Sequence, residues 1–238
     1  QIKSVKQLKI ITIDDPENKR LFSDVAIYPP VPQVYKLNWK NYKGELSVGW
    51  EYVIIKDEFL KSSMPKINSK SKILVSMGGT DPFNMTHYVI DSLNQVEKEF
   101  EILIVLGPGY QYYKKLKSLL DRTNLEYEVI RNPNNFSEII KSVDFGVISF
   151  GQTAYEFTAL GIPALYICIS SDHNISSSLF ENLKFGISAG VFTEIDNISF
   201  INYLNNIFEN FPLFKKSILK SRVNEKMKSD LLINLILK

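Results

Sequence analysis

The chain has 238 residues, of which 45% are hydrophobic and 23% charged, and its formal net charge is +2. A domain averages roughly 100–200 residues, so this length suits one domain or one and a half. Lys and Arg are spread along the chain, which argues against the concentrated basic stripe of a nucleic-acid binder. We expect a cytoplasmic protein, because we find neither a run of ~18 apolar residues nor a signal peptide.

The cysteine content is the second constraint. The only cysteine, Cys168, lies within the apolar run Ala164–Ile169. This setting predicts a buried structural thiol rather than a nucleophile. The absence of a disulfide framework from the sequence fits a reducing cytoplasm.

Residues 1–66 read as the remnant or tail of an N-terminal α/β domain. Strands are predicted at Leu8–Ile13 and Asp24–Tyr28. A buried parallel strand needs neighbours on both flanks, and this segment supplies too few. It therefore either adds onto the main sheet or ends a separate domain. The polar stretch 66–72 predicts the boundary, which leaves residues 67–238 as the second domain. Asp14-Asp15 fits an interdomain turn better than a metal site, because no His, Asp or Glu cluster is nearby.

From residue 73 onward, apolar runs alternate with helical patterns, which indicates a parallel sheet in a Rossmann-like domain. The predicted strands are Ile73–Ser76, Ile102–Leu106, Glu126–Ile130, Phe145–Ser149, Ala164–Ile169 and Ile187–Val191. The predicted helices are Asn84–Val96, Tyr110–Asp121, Phe136–Lys141, Ala154–Leu160 and Ile175–Leu183, with two more toward the C-terminus. The last of these, within residues 215–238, is interpreted as a closing helix with a solvated basic face; an anionic membrane surface is the weaker alternative.

Two glycine loops carry the strongest functional signal. The first, Ser76–Asn84, follows an apolar strand with paired glycines and opens a helix. The second, Phe150–Thr153, contains the single glycine Gly151, follows the strand that ends at Ser149 and precedes an apolar helix ending near Gly161. Glycines let backbone amides approach an anion, and a helix N-terminus adds partial positive charge. Together the loops favour a nucleotide-sugar site. Gly107-Pro108-Gly109 is interpreted as a structural turn, because it lacks the third glycine of a dinucleotide fingerprint.

Glu156 has two interpretations, which the sequence leaves open. Thr153-Ala154-Tyr155-Glu156 fits a capping box, in which the threonine caps the helix and the glutamate reaches back. Alternatively, the Glu156 carboxylate accepts both hydroxyls of a ribose. Either way, Glu156 lies at the rim of the second glycine loop.

The ordered motifs resemble a known family. They are Gly78-Gly79-Thr80-Asp81-Pro82-x-Asn84, Asn132-Pro133-Asn134-Asn135-Phe136, Ser149-x-Gly151-x-Thr153-x-x-Glu156 and Ala159-Leu160-Gly161-Ile162-Pro163. They look like the UDP-sugar hydrolase of the pseudaminic-acid pathway and its spore-coat polysaccharide relatives, which are similar to glycosyltransferases of the GT-B fold. The resemblance implies the C-terminal, nucleotide-binding part of such a fold, preceded by the tail of an N-terminal domain.

The resemblance also implies roles for individual residues and no cofactor or metal. UDP or a UDP-sugar would be the ligand, with the first glycine loop at the sugar-pyrophosphate, the second at the phosphates, and the segment Arg131–Phe136 beside the uracil. The nucleotide-binding set is Gly78, Gly79, Thr80, Asn84, Arg131, Phe136, Gly151, Gln152, Thr153 and Glu156. Asp172, His173 and Asn174 would form a short polar loop facing the sugar.

The chain departs from the family in two respects. Family members carry a histidine in a glycine-rich loop of the N-terminal domain, and this sequence has no such motif, so we expect a further domain of roughly 100 residues upstream. His87 is predicted to be a surface residue, and His173 is a weak candidate for proton transfer. Phe150 stands where the family has a small residue, which predicts a narrower approach to the phosphates.

Two functions remain open at this point. One is the UDP-binding portion of a nucleotide-sugar hydrolase or glycosyltransferase for a pseudaminic- or sialic-like surface polysaccharide, working with another protein domain. The other is a non-catalytic module that binds sugar nucleotides or acts as a scaffold. Both use the donor site described above.

Overall fold

The structure is a computed structural model that describes residues 8–60, 70–228 and 230–237, and it falls into two compact units. The larger unit is Ile55–Asn224, and the smaller combines Gln1–Ile54 with Glu225–Lys238. The predicted domain boundary at residue 66 lies outside the described residues, so a division there stays a prediction.

The smaller unit contains a parallel sheet of three strands in the order β1-β2-β3, namely β1 (Ile11–Ile13), β2 (Val25–Tyr28) and β3 (Glu45–Val48). All four residues of the central strand β2 are buried. The sequence predicted β1 and β2 but not β3, whose first two residues are exposed and which has no apolar run. Because these strands form their own sheet, the expectation that they might add onto the main sheet is wrong.

The predicted turn at Asp14-Asp15 is confirmed, but it lies inside the smaller unit rather than between domains. Asp14 has a left-handed backbone (φ 49°), and the Glu17 N–H donates to Asp15 Oδ1 at 2.8 Å. Burial raises the pKa of Asp14. In the part of the chain that the structure describes, no group of three or more His, Cys, Asp or Glu side chains is placed to hold a metal ion.

The larger unit is built on a six-stranded parallel sheet in the order β6-β5-β4-β7-β8-β9. Its strands are β4 (Ser71–Ser76), β5 (Phe100–Leu106), β6 (Glu126–Arg131), β7 (Phe145–Ser149), β8 (Ala164–Cys168) and β9 (Gly186–Val191). This is the doubly wound order of a Rossmann fold. All six predicted strands are confirmed.

Five helices link these strands, namely α2 (Met85–Leu93), α3 (Tyr113–Leu120), α4 (Phe136–Lys141), α5 (Gln152–Ala159) and α6 (Ser171–Asn182). Helix α1 (Asp57–Leu60) precedes β4, and α7 (Asn197–Ser221) follows β9. Strands β4, β7 and β8 are almost entirely buried, and Val75, Val147 and Leu165 join α2 and α7 in one apolar core. Sheets covered on both faces produce such continuous apolar strands, which is why the sequence revealed them.

Among the described residues, three α-helices follow β9, where two helices were predicted. Helix α7 continues through Pro212 and ends at Ser221, and its C-cap residue Arg222 has a left-handed backbone (φ 52°). The helices α8 (Val223–Met227) and α9 (Leu231–Leu237) come after it. Ile218 and Val223 are buried, as expected of packed closing helices. Lys215 does not fit the prediction of a solvated basic face. Its Nζ is buried, and burial lowers its pKa. None of the helices described is long and apolar enough to cross a membrane.

The order of the six-stranded sheet reverses between β4 and β7. Ser76 at the end of β4 pairs with Ile148 of β7, so the loops that follow these two strands leave the sheet from neighbouring strands. In open α/β sheets, ligands bind in the crevice at this switch point. Both predicted glycine loops therefore begin at its rim.

Candidate functional site

The first glycine loop presents open backbone at the switch point. Gly78, Gly79 and Thr80 are exposed, and Gly78 has a left-handed φ of 78°. A Cβ built on Gly78 or Gly79 would meet nothing within 4 Å. The loop therefore leaves room for a ligand to approach its backbone closely.

The N-terminus of α2, however, is already occupied by a side chain. The buried Asp81 carboxylate accepts hydrogen bonds from the N–H groups of Met85 at 2.7 Å and Thr86 at 2.9 Å. These are two of the groups that would otherwise bind an anion. The expectation that the α2 N-terminus adds its charge to a phosphate site is therefore wrong, because a carboxylate of the protein itself lies there.

The segment Gly107–Tyr110 packs against the first glycine loop and supports it. The Gly109 N–H donates to the Gly79 carbonyl at 2.9 Å, and a Cβ on Gly107 would lie 2.5 Å from the Gly79 Cα. The Tyr110 hydroxyl donates to Asn84 Oδ1 at 2.9 Å. Asn84, which was predicted to bind nucleotide, thus has its side-chain oxygen engaged within the protein. The segment Gly107–Tyr110 is a structural turn, as predicted, and its role is to hold the glycine loop.

The second glycine loop leaves a helix N-terminus without a side-chain cap. The N-cap residue of α5 is Gly151, which has extended backbone, and a Cβ there would meet nothing within 4 Å. Gln152 and Thr153 form the first turn of α5. The capping-box interpretation is therefore wrong, since Thr153 lies within the helix rather than at its N-cap. Of the two loops, this one has the helix end better suited to a phosphate.

Phe150 does not narrow this approach, contrary to the sequence-based expectation. Its ring is only 5% exposed and packs edge-on against Tyr166 and Phe180, with centroids 5.6 and 5.2 Å away. The strand alternation at the end of β7 turns the ring into the core. Gly151, the next residue, is the one that faces the crevice with open backbone.

Glu156 is half-buried on α5, beyond Gly151. Burial raises its pKa from 4.5 to about 7; Glu58 adds to the rise, whereas Lys56 and a hydrogen bond from Thr153 oppose it. A carboxyl group with such a pKa is present in both charge states at neutral pH. Perturbed groups of this kind in a crevice mark candidate binding or catalytic residues.

The sequence analysis missed the short helix α1 as part of this site. The Phe59 ring packs edge-on against Phe136 of α4 at 6.5 Å, and the Ser137 hydroxyl donates to Glu58 Oε2 at 3.2 Å. Helix α1 also packs against α5. A helix of four residues is too short to show a helical period in the sequence, and this segment was predicted to belong to the N-terminal remnant. No sequence signal therefore indicated that α1 lies beside the candidate site.

The predicted uracil-binding segment follows β6 and begins α4. Arg131 is exposed, and its guanidinium lies 4.9 Å from the centre of the Tyr113 ring. Asn132 has a left-handed backbone (φ 46°), and its N–H donates to the Leu106 carbonyl at 2.9 Å. Phe136 is half-buried against Phe59, so one side of its ring is already covered.

The predicted sugar-facing loop is instead the first turn of α6. Ser170 caps this helix by accepting from the His173 N–H at 3.3 Å, so Asp172, His173 and Asn174 are helical. Asn174 Oδ1 accepts from the Ser188 hydroxyl at 3.3 Å. Serine is a preferred N-cap residue, so Ser170 was the signal that a helix begins here. The sequence prediction overlooked it and began α6 at Ile175.

The two histidines have different settings, and a role of His173 in proton transfer stays a prediction. The centre of the His173 ring lies 6.1 Å from that of Phe150. Burial lowers the pKa of His173, and the negative charge of Asp172 partly opposes this shift. His173 Nδ1 is buried and finds no hydrogen-bond partner within the described residues. His87 is half-buried on α2, so it is partly exposed at the surface. Cys168 is buried, as predicted, with its Sγ 3.2 Å from the Ser177 hydroxyl.

Two relatives align with much of the chain. The uncharacterised protein MJ1062 of Methanocaldococcus jannaschii is 31% identical over 179 residues, or 69% of this chain and 37% of that protein. The spore coat polysaccharide biosynthesis protein SpsG of Bacillus subtilis is 20% identical over 218 residues, or 90% of this chain and 64% of SpsG. The chain thus spans less than two thirds of either relative. No family model matches it.

Solved structures share the fold. MurG of Acinetobacter baumannii matches with a TM-score of 0.67 at 12% identity, covering 99% of this chain and 74% of MurG. A variant of Os79 from O. sativa in complex with UDP matches with a TM-score of 0.62 at 12% identity, covering 91% and 55% of the two chains. The spinosyn rhamnosyltransferase SpnG complexed with thymidine diphosphate matches with a TM-score of 0.57 at 14% identity, covering 91% and 57%.

These likenesses define the class of fold. The chain is an α/β protein with parallel sheets, and its structural neighbours include the GT-B glycosyltransferases MurG and SpnG. The fold class predicted from the sequence is confirmed. The resemblance to spore-coat polysaccharide proteins is confirmed as well, by the similarity to SpsG.

Proposed function

We propose that this chain is the UDP-binding portion of a nucleotide-sugar hydrolase or glycosyltransferase. The reaction would serve surface polysaccharide biosynthesis and act on a deoxy-amino sugar of the pseudaminic or sialic type. The observation that carries the proposal is the position of two open glycine loops side by side at the switch point of the sheet. The name of SpsG and the nucleotides bound to Os79 and SpnG support the choice of ligand.

In this proposal the diphosphate lies over the backbone of Gly79 and the N-terminus of α5. Backbone N–H groups and the positive end of the helix dipole would stabilise the phosphate charge that grows as UDP leaves. Glu156 would accept the ribose hydroxyls, and the segment Arg131–Phe136 would flank the uracil. A hydrolase would use water to cleave the bond between UDP and the sugar, and a transferase would pass the sugar to an acceptor.

The test is isothermal titration calorimetry with UDP, and with dTDP, CMP, ADP and GDP for comparison. We expect saturable binding that is strongest for UDP. Gly79→Val and Gly151→Val should each weaken it about tenfold or more, because their side chains would occupy the ligand's place. Neither position has a positive φ between 20° and 160°, and neither added Cβ meets protein atoms. Both variants should therefore keep the thermal midpoint of the parent chain. Undiminished UDP affinity in both variants would contradict the proposal.

A non-catalytic sugar-nucleotide-binding module is the second candidate. It is favoured by the settings of the two histidines, since His173 is packed on Phe150 and His87 lies half-buried on α2. Release of UDP from a UDP-amino sugar by this chain alone, absent in Glu156→Gln, would exclude the module. Binding without release would favour it for the isolated chain.

A further inference from the structure

Helix α1 is fixed to the candidate nucleotide site by contacts on two neighbouring helices. Phe59 is 2% exposed and meets Phe136 at the start of α4, while Glu58 accepts a hydrogen bond from Ser137. The same helix packs against α5, which carries Glu156. A helix of four residues has no stability of its own, so these contacts hold it.

This docking brings two opposite charges to Glu156. Lys56 Nζ lies 3.9 Å from Glu58 Oε1, and the side chains are 81% and 37% exposed. The field of Lys56 favours the ionised form of Glu156, and that of Glu58 disfavours it. The strands behind α5, β7 and β8, contribute no charged side chain; their titratable groups are the Tyr166 phenol and the Cys168 thiol. On α5 itself, Thr153 donates a hydrogen bond to the carboxylate.

We propose that Lys56 and Glu58, held beside α5 by the docking of α1, are positioning residues that bias the charge of Glu156 in opposite directions and thereby tune nucleotide-sugar affinity. The inference rests on the proposed function, in which Glu156 binds the ribose. An ionised carboxylate can accept a hydrogen bond from each ribose hydroxyl with both oxygens free, whereas a protonated carboxyl has one oxygen carrying a donor. Ionisation therefore favours binding.

The charge of Glu156 is measured first in the chain without ligand. The side-chain carboxyl carbons of ¹³C-labelled glutamate are followed by NMR from pH 5 to pH 8.5, and the Glu156 signal is assigned by its loss in Glu156→Gln. Lys56→Met should raise the Glu156 midpoint, and Glu58→Gln should lower it, each by a few tenths of a pH unit up to about one. Glu138→Gln is the matched control, because it removes an exposed carboxylate of α4 that pairs with Lys141 at 2.8 Å. It should leave the midpoint in place.

Affinity is then measured by calorimetry with UDP-glucose over the same pH range. This probe is suitable because both of its phosphates are esterified and neither titrates in the range. We expect roughly tenfold tighter binding at pH 8 than at pH 6, since ionisation of a single group with a midpoint of about 7 changes about tenfold over that interval. Lys56→Met should move the affinity curve to higher pH and Glu58→Gln to lower pH, in step with the NMR midpoints.

The outcomes separate the two ideas. Midpoints unmoved in both variants, or affinity curves that do not follow them, would overturn this inference while leaving UDP binding intact. No binding of UDP or UDP-glucose at any pH would overturn the proposed function, and this regulation of the site with it. Opposite shifts in both measurements, with Glu138→Gln unchanged, would support the inference.

Discussion

Gly79 and Gly107 lie in direct backbone contact, so close that a Cβ on Gly107 would lie 2.5 Å from the Gly79 Cα. The two glycines have different tasks. Gly79 keeps a surface open, whereas Gly107 lets a second loop pass directly beneath it. The same residue type therefore leaves exposed backbone for the proposed ligand in one case and permits close packing in the other.

Replacing Gly107 by alanine should destabilise the protein. The added methyl group meets backbone atoms of Gly78 and Gly79, which move only if the loop moves, and such overpacking costs about 1–3 kcal/mol. Urea denaturation measures this change. Gly79→Ala is the control and should change the free energy of unfolding by no more than about 0.5 kcal/mol. Equal free energies of unfolding for the two variants would show that the first glycine loop can move to accommodate the added methyl group at little cost.

Removing the carboxylate of Asp81 should cost more than removing an exposed helix cap. Asp81→Ala leaves the N–H groups of Met85 and Thr86 without their buried acceptor, which we expect to cost about 2 kcal/mol. Asp196 accepts from the Ser199 N–H at 2.9 Å in the exposed cap of α7, where water can replace it. Urea denaturation of Asp81→Ala and Asp196→Ala gives the comparison. A larger loss in Asp196→Ala would contradict the role assigned to Asp81.

The stability of the protein should fall as pH rises from 4.5 to about 7. Burial raises the pKa of Glu156 to about 7, so across this range the folded chain holds a proton that the unfolded chain has lost. The stability associated with protonated Glu156 is fully present below pH 4.5 and is lost as pH passes through 7. The full shift corresponds to about 3 kcal/mol, and solvent exposure reduces this to about 1–3 kcal/mol.

Urea denaturation at pH 5, 6, 7 and 8 tests this prediction. Glu156→Gln has no proton to lose, so its free energy of unfolding should decline less steeply than that of the parent, and the variant should be the more stable of the two at pH 8. Glu138→Gln should follow the parent at every pH. Parallel pH profiles for the parent and Glu156→Gln would show that Glu156 ionises normally.

Arg20 should be essential for the smaller unit. Its side chain is buried at 1% exposure and donates to the carbonyls of Glu17 at 2.6 Å and Asn38 at 2.8 Å. The guanidinium also lies 5.0 Å from the centre of the Trp39 ring. Arg20→Met would remove the hydrogen bonds and the ring contact of this buried guanidinium, which we expect to cost about 3 kcal/mol.

Tryptophan fluorescence is a suitable probe for Arg20→Met, because Trp39 and Trp50 are the only tryptophans and both lie in the smaller unit. The urea midpoint from fluorescence should drop. Lys19→Met removes the neighbouring exposed cation, which pairs with Glu17 at 2.8 Å, and should leave the midpoint nearly unchanged. A similar drop of the urea midpoint in both variants would mean that the positive charge, rather than the hydrogen bonds of Arg20, stabilises the smaller unit.

The central strands of the larger unit were predictable because burial on both faces selects continuous apolar runs, as in Phe145–Ser149 and Ala164–Cys168. β3 was not, since an edge strand with exposed Glu45 and Leu46 needs little apolar sequence. α6 was predicted to begin too late, because its first turn is polar and its signal was the Ser170 cap. Patterns of burial are local and readable, whereas strand pairing at an edge is not.

The candidate site was predictable only in part. Two glycine loops, each following an apolar strand, and a glutamate just beyond the second are visible in the sequence itself, since a glycine has its conformational freedom wherever it stands. The tertiary structure alone decided that β4 and β7 are neighbours, that Asp81 closes one helix end while Gly151 leaves the other open, and that Lys56 and Glu58 act on Glu156. Strand order, side-chain direction and the burial of a charge depend on residues far apart in the chain, and only packing brings those residues together.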